Sequence, residues 1–185
     1  MYQRIKRASQ SLKSENWAGI ISLLGSSALV LNGGVSDILA AMQFTAAEIG
    51  LARYGHKSAG YSISAGLFSA GDLTLAFSKS VPEGSLFQYS LFAMAGAWGV
   101  GALKHPFEKV AEKSEKPSLA KLSNHFPTIC STSNLLLRIP GVVSAAQSQN
   151  FVAAGAIAAW GISDVLAGRL QERAKSIYDY CKIKP

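Results

Sequence analysis

Along this 185-residue chain, apolar and polar positions fall in blocks instead of alternating at helical spacing. Residues 17–36, 58–71, 84–103, 122–137 and 139–163 contain no Asp, Glu, Lys or Arg. A helix on the surface of a soluble bundle carries a polar stripe recurring about every 3.6 residues. These blocks lack charge on every face. Read as helices, they give six segments at about 17–33, 37–53, 59–78, 85–103, 127–146 and 150–168. Turn chemistry separates them: Asn32-Gly33-Gly34, Pro82 with Gly84, and Lys104-His105-Pro106, while Pro140-Gly141 predicts a break inside the fifth. The one long polar stretch, 104–126, predicts a loop holding a short surface helix over FEKVAEKSEK (107–116).

This pattern predicts an all-α polytopic membrane protein of about six short transmembrane helices. A basic arm (1–16) precedes a four-helix membrane segment (17–103), a basic loop (104–126), a two-helix membrane hairpin (127–168) and a basic tail (169–185). The arm and first apolar run imitate a secretory signal. Gly25, Ser26 and Ser27 interrupt that run and no A-x-A site follows, which predicts a retained anchor helix. A span needs ~20 mostly apolar residues to cross ~30 Å of hydrocarbon. The segments are rich in Ala, Gly and Ser, and the mean hydropathy is only +0.20, so a soluble Ala-rich helical fold is the alternative.

Composition sharpens the choice. Hydrophobic residues at 49% would suit a soluble domain, but charged residues at 16% fall well below the roughly 25% usual there. The distribution of basic residues sets an orientation, because cytoplasmic loops accumulate Lys and Arg. With both termini inside, sixteen of the 18 basic residues lie on the inner side; only Lys79 lies in an outer loop, and Arg138 sits within a helix. The net charge of +7 is thereby explained without nucleic acid. The expected partners are the lipid bilayer, anionic headgroups at the basic loop and tail, and either another copy or a second membrane protein. A plasma membrane is the expected location, the inner membrane if the source is bacterial.

An internal repeat accompanies the hairpins. LVLNGGVS (29–36) parallels LRIPGVVS (137–144), and EIGLAR (48–53) parallels DVLAGR (164–169). Each unit would be an outward helix, a tight glycine turn and an inward helix.

Three acids fall inside predicted spans: Glu48, Asp72 and Asp164. A charge in hydrocarbon costs at least ~2.5–3.5 kcal/mol, so such groups face a partner, the protein interior or a hydrated path. Glu48 and Asp164 lie near the inner ends, where Arg53 and Arg169 can pair with them. Asp72 lies deeper, at the same predicted depth as Arg138, and the two are expected either to clamp helices together or to line a substrate path. Small residues at packing spacing, Ala93, Ala97 and Gly101 in one helix and Gly155 and Ala159 in another, predict close helix contacts. The spacing of Cys130, Cys181, His56, His105 and His125 matches no zinc site. No metal, no cofactor and no catalytic motif is expected, which argues against an enzyme.

The stretch KSAGYSISAGLFSAGDLTLAF (57–77), through Lys57, Ser58, Gly60, Ser62, Gly71 and Asp72, resembles the second helix of the PQ-loop repeat of SWEET-type transporters. The plan of about 180 residues in six short helices is also similar to small YgjV-like membrane proteins. The first resemblance implies sugar or amino-acid transport. The sequence therefore carries two functional expectations: a small-molecule permease, or a non-catalytic membrane scaffold packing through its Gly/Ala faces.

Overall fold

The computed structural model describes residue 17 and residues 19–55, 57–115 and 117–166. The basic arm, the tail with Cys181, His56 and Lys116 lie outside the described residues. Helices, and no strands, build the described part: α1 (Gly19–Asn32, ending in a 3-10 turn), α2 (Val35–Tyr54), α3 (Ser58–Ala76), α4 (Leu86–Ala102), α5 (Lys104–Ser114), α6 (Pro117–Gln147) and α7 (Phe151–Leu166). The fold is all-α, and the six predicted apolar segments reappear as α1–α4, α6 and α7.

The turns follow from local chemistry. Gly33 closes α1 in the left-handed region at φ 73°, donating its N–H to the Val30 carbonyl, as C-terminal glycines do. Ser85 caps α4 by accepting the Gln88 N–H, and Asn150 caps α7 by accepting the Ala153 N–H.

Two expectations need correction. In the stretch 104–126 the expected surface helix is present as α5, but the second half is not loop: it is the start of α6. There Phe126 is buried and stands edge-on to Phe107 of α5, with ring centroids 5.0 Å apart. Nor does Pro140-Gly141 break the fifth helix. α6 runs through both Pro127 and Pro140, since each proline removes only one N–H and the helix is held along its length by α4, α5 and α7.

Helix neighbours define a closed ring. α2 packs on α3, α3 on α4, α4 on α6 and α6 on α7, and the last turn of α1 touches both α2 and α7. Each helix runs antiparallel to its neighbours in the ring, and α5 lies against α6 and α3 at one end. That end carries Arg53, Lys57, Lys104, Lys109, Lys113 and Lys121 and is called the basic end below. The opposite end holds the turns at 33–34, 77–85 and 148–150.

A row of rings fills the middle. Trp160 of α7 meets Phe44 of α2 at 4.6 Å, Phe44 faces Phe68 of α3 at 6.3 Å, and Phe68 stacks on Trp98 of α4 at 4.4 Å. Glycines make room for these contacts. A Cβ on Gly71 would sit 2.6 Å from the Phe44 ring, and one on Gly101 would sit 2.9 Å from the Cys130 Sγ.

Large aliphatic side chains point the other way. Leu136 and Ile139 of α6 are 65% and 69% exposed, and Val35, Ile63, Leu86 and Phe151 are also exposed, while Asp37, Asp72 and Arg138 are buried. Two helical stretches, Leu86–Ser114 and Pro117–Gln147, are long and apolar enough to cross a membrane; Gly19–Asn32 and Phe151–Ser163 are apolar but shorter. Length and composition alone do not separate these from the core helices of a soluble protein.

Candidate functional site

α6 is apolar outside and polar inside. Its buried stripe reads Ser123, Phe126, Cys130, Asn134, Arg138, Gly141 and Ser144, one residue every three or four positions, while Leu136, Ile139 and Val143 face out. This inverts the arrangement of a soluble surface helix. α3 contributes Ser62, Ser64 and Asp72 to the same interior.

Asp72 is 2% exposed and Arg138 is 8% exposed. The ion pairs formed among the described side chains, however, are Lys104–Glu108 and Lys109–Glu112, and Asp72 is in neither. Among the described residues its Oδ2 has no hydrogen-bond partner, nor does the Oδ1 of buried Asn134, one turn from Arg138 on the same face; Gln43 Oε1 and Thr132 Oγ1 share this condition. The Asn134 amide is anchored by donation to the Cys130 carbonyl at 3.0 Å. Unpaired buried acceptors are costly and uncommon, at ~1–3 kcal/mol each. The Asn134 Oδ1 can only accept, so the group that satisfies it must bring an N–H or O–H donor.

The other predicted residues are placed as follows. Glu48 is half-buried and accepts the hydroxyl of buried Ser22 on α1. The side chain of Asp164 lies outside the described residues. Gly101 packs at the junction of α3, α4 and α6, against Ala65 and Tyr61 as well as Cys130. Ala159 lies 2.9 Å from the Cβ position of Gly25, where α1 crosses α7. Ala97 is half-buried, whereas Ala93 and Gly155 face outward, and Gly155 has open space beside it.

At the basic end, His105 joins α3 to α5. Its Nδ1 lies 2.9 Å from the Ser58 Oγ, and its backbone N–H donates to the Ser62 Oγ at 2.9 Å. Burial would raise the Glu108 carboxyl, but hydrogen bonds from Lys104 and Ser58 and the nearby positive charges outweigh this and hold it below its ordinary 4.5. No group of three or more His, Cys, Asp or Glu able to hold a metal occurs among the described residues.

The sequence reading missed the densest polar cluster, at the opposite end. Asp37, only 1% exposed, accepts Ser78 Oγ at 2.5 Å, Ser80 Oγ at 2.7 Å and Asn32 Nδ2 at 3.1 Å. Asn150 donates to the Ser80 carbonyl at 3.0 Å, and its Oδ1 lies 3.4 Å from the Asn32 Nδ2. The Asp37 carboxylate thus joins the end of α1 to the α3–α4 loop, and Asn150 ties the α6–α7 turn to both. A polar residue beside each turn is ordinary in a sequence, so nothing local marked the cluster.

Two apolar grooves open on the outer surface. One, about 520 Å³, lies between α6 and α7 over Ile139, Val142, Ile157 and the Arg138 stem; the other, about 350 Å³, lies between α1 and α2 over Val30, Ala41, Met42 and Ile49. Comparison with protein-family models, curated proteins and solved structures yields no match for this chain.

Proposed function

We propose that the protein is a multi-pass integral membrane protein with its basic end on the cytoplasmic side, and that it is a small-molecule permease whose solute meets the Asp72–Asn134–Arg138 stripe. Membrane embedding is supported by the inverted faces of α6 and by the segregation of basic residues to one end, Lys79 lying opposite with Glu83 and the buried Asp37. The basic face of α5, with exposed Lys109 and Lys113, would then rest on anionic headgroups. In hydrocarbon, exposed Leu and Ile need no protein cover. Helix association would depend instead on glycine contacts and buried hydrogen bonds.

The observation that carries the permease reading is that Asp72 Oδ2 and Asn134 Oδ1, on buried side chains of α3 and α6, have no hydrogen-bond partner among the described residues. A small polar solute with hydroxyl or ammonium groups supplies hydrogen-bond donors. The resemblance of residues 57–77 to PQ-loop transporters points the same way.

A scaffold role is the second reading, favoured by the aromatic row that fills the bundle and by the outward grooves. A thermal-shift panel of sugars, amino acids and small organic acids on the purified protein separates the two. The permease reading expects at least one solute to raise the Tm, a rise lost in Asp72→Asn without loss of the fold. The scaffold reading expects no shift from any solute, and expects Asp72→Asn with Arg138→Gln to recover the stability lost in either single change.

A further inference from the structure

We propose that the hydrogen-bonded cluster around Asp37 is a releasable gate, closed in this structure, which opens to admit solute to the Asp72 stripe from the side opposite the basic end. The inference rests on the permease reading for its purpose and on the cluster itself for its mechanics.

The chemistry of the cluster suits release better than permanent fastening. Asp37 is a buried carboxylate whose three bonded partners are neutral: two hydroxyls and an amide. The basic residue of the neighbouring loop, Lys79, is exposed and joins none of these bonds. A fastener that never opens is made at least as well from apolar side chains, because burying a carboxylate carries a desolvation cost that neutral donors only partly offset. Water can replace every hydroxyl and amide donor once the turns part.

Position and hinges agree with this. The bonds join three turns, and each of those turns contains one residue in the left-handed region: Gly33 at φ 73°, Gly84 at φ 68° and Gln149 at φ 59°. Gly34 lets the carboxylate lie against the backbone, since a Cβ there would sit 2.4 Å from Asp37 Oδ2. Beneath the cluster a few polar groups lie among the buried Leu29, Leu75, Phe87 and Leu91. Gln88 donates to the Ala76 carbonyl, and Ser90 and Ser144 approach each other at 3.5 Å across α4 and α6. Asp72 lies on α3 six residues before Ser78. Parting the three turns would bring water to Gln88, Ser90 and Ser144 in the same half of the bundle as Asp72.

Hydrogen–deuterium exchange on the full chain in lipid nanodiscs tests the gate without needing the solute. Ser78→Ala with Ser80→Ala removes two donors from Asp37. Exchange in residues 86–94 and 141–147 should accelerate about tenfold or more, while residues 58–66 at the basic end stay unchanged. Asn32→Cys with Asn150→Cys, in a Cys130→Ala, Cys181→Ser background, should lock the turns, because these side chains already meet. Oxidation should slow exchange in the same two segments below that of the reduced double-cysteine protein, and a reductant should restore it. The locked form keeps the proposal falsifiable should the serine variant unfold. The proposal is overturned if oxidation leaves exchange in 86–94 and 141–147 unchanged, or if loss of the serines accelerates exchange evenly along the chain. Failure of the permease reading would look different: the exchange pattern would hold while no solute in the thermal-shift panel binds.

Discussion

Asn150 performs three tasks with one side chain, and replacing it measures how much the cluster contributes to holding the bundle. Its Oδ1 caps α7 through the Ala153 N–H, its amide donates to the Ser80 carbonyl, and its Oδ1 also lies near the Asn32 amide. Loss of an N-cap costs ~1 kcal/mol. Loss of the Ser80 bond costs ~0.5–1.5 kcal/mol, and the 3.4 Å contact adds little at that length. Asn150→Ala should therefore lose about 2 kcal/mol. Asn150→Ser keeps a capping oxygen but cannot span to Ser80, so it should lose about half as much. Asn150→Asp keeps the cap and gains from the helix dipole, yet it loses the amide donor and brings a second carboxylate towards Asp37, so it should fall below Asn150→Ser in stability. Reversible unfolding in detergent, followed by circular dichroism, gives the three values. An Asn150→Ala loss under ~0.5 kcal/mol, or an Asn150→Ser loss equal to that of Ala, would refute the separation into cap and cross-turn bond.

Glycine contacts give a sharper contrast. Gly71→Ala must displace the Phe44 ring, itself held by Trp160 and Phe68, and should cost ~1–3 kcal/mol in the same unfolding assay, whereas Gly96→Ala meets open space and should be neutral or stabilising by up to ~1 kcal/mol. Equal effects at the two sites would contradict the packing described for α2 and α3. The carboxyl of Glu108 is held below its ordinary value, so its contribution to docking α5 is present above about pH 4.5 and is lost as the pH falls through the lowered value. Amide exchange in 104–114 should rise over that acid range in the native protein and lose this dependence in Glu108→Gln; an unchanged profile would show that the pair does not hold α5.

Helix positions were legible because blocks without charge are long and the turns between them carry Gly, Pro and Asn. Burial of Asp72 and Arg138 was legible for the same reason: a lone charge in an apolar block has few inexpensive places to go. That Asp72 joins no ion pair among the described residues was not, since depth along two helices says nothing about the distance across a filled interior. The start of α6 was misread as loop because Lys121, Asn124 and His125 look like loop residues until Phe126 is seen against Phe107. The Asp37 cluster was illegible for a topological reason. Asn32 and Asn150 are 118 positions apart, and each residue, taken alone, resembles an ordinary cap or turn.

The central claim is that the ring of helices crosses a membrane with α5 on the cytoplasmic side and the Asp37 cluster on the other. Single cysteines at Ser114, at the end of α5, and at Glu83, in the α3–α4 loop, test it directly in a Cys130→Ala, Cys181→Ser background. Both positions are exposed. In sealed cells or vesicles of known orientation, a membrane-impermeant maleimide should label Glu83→Cys from outside and Ser114→Cys only after permeabilisation. Labelling of both from the same side, or recovery of the protein in the soluble fraction, would contradict the account.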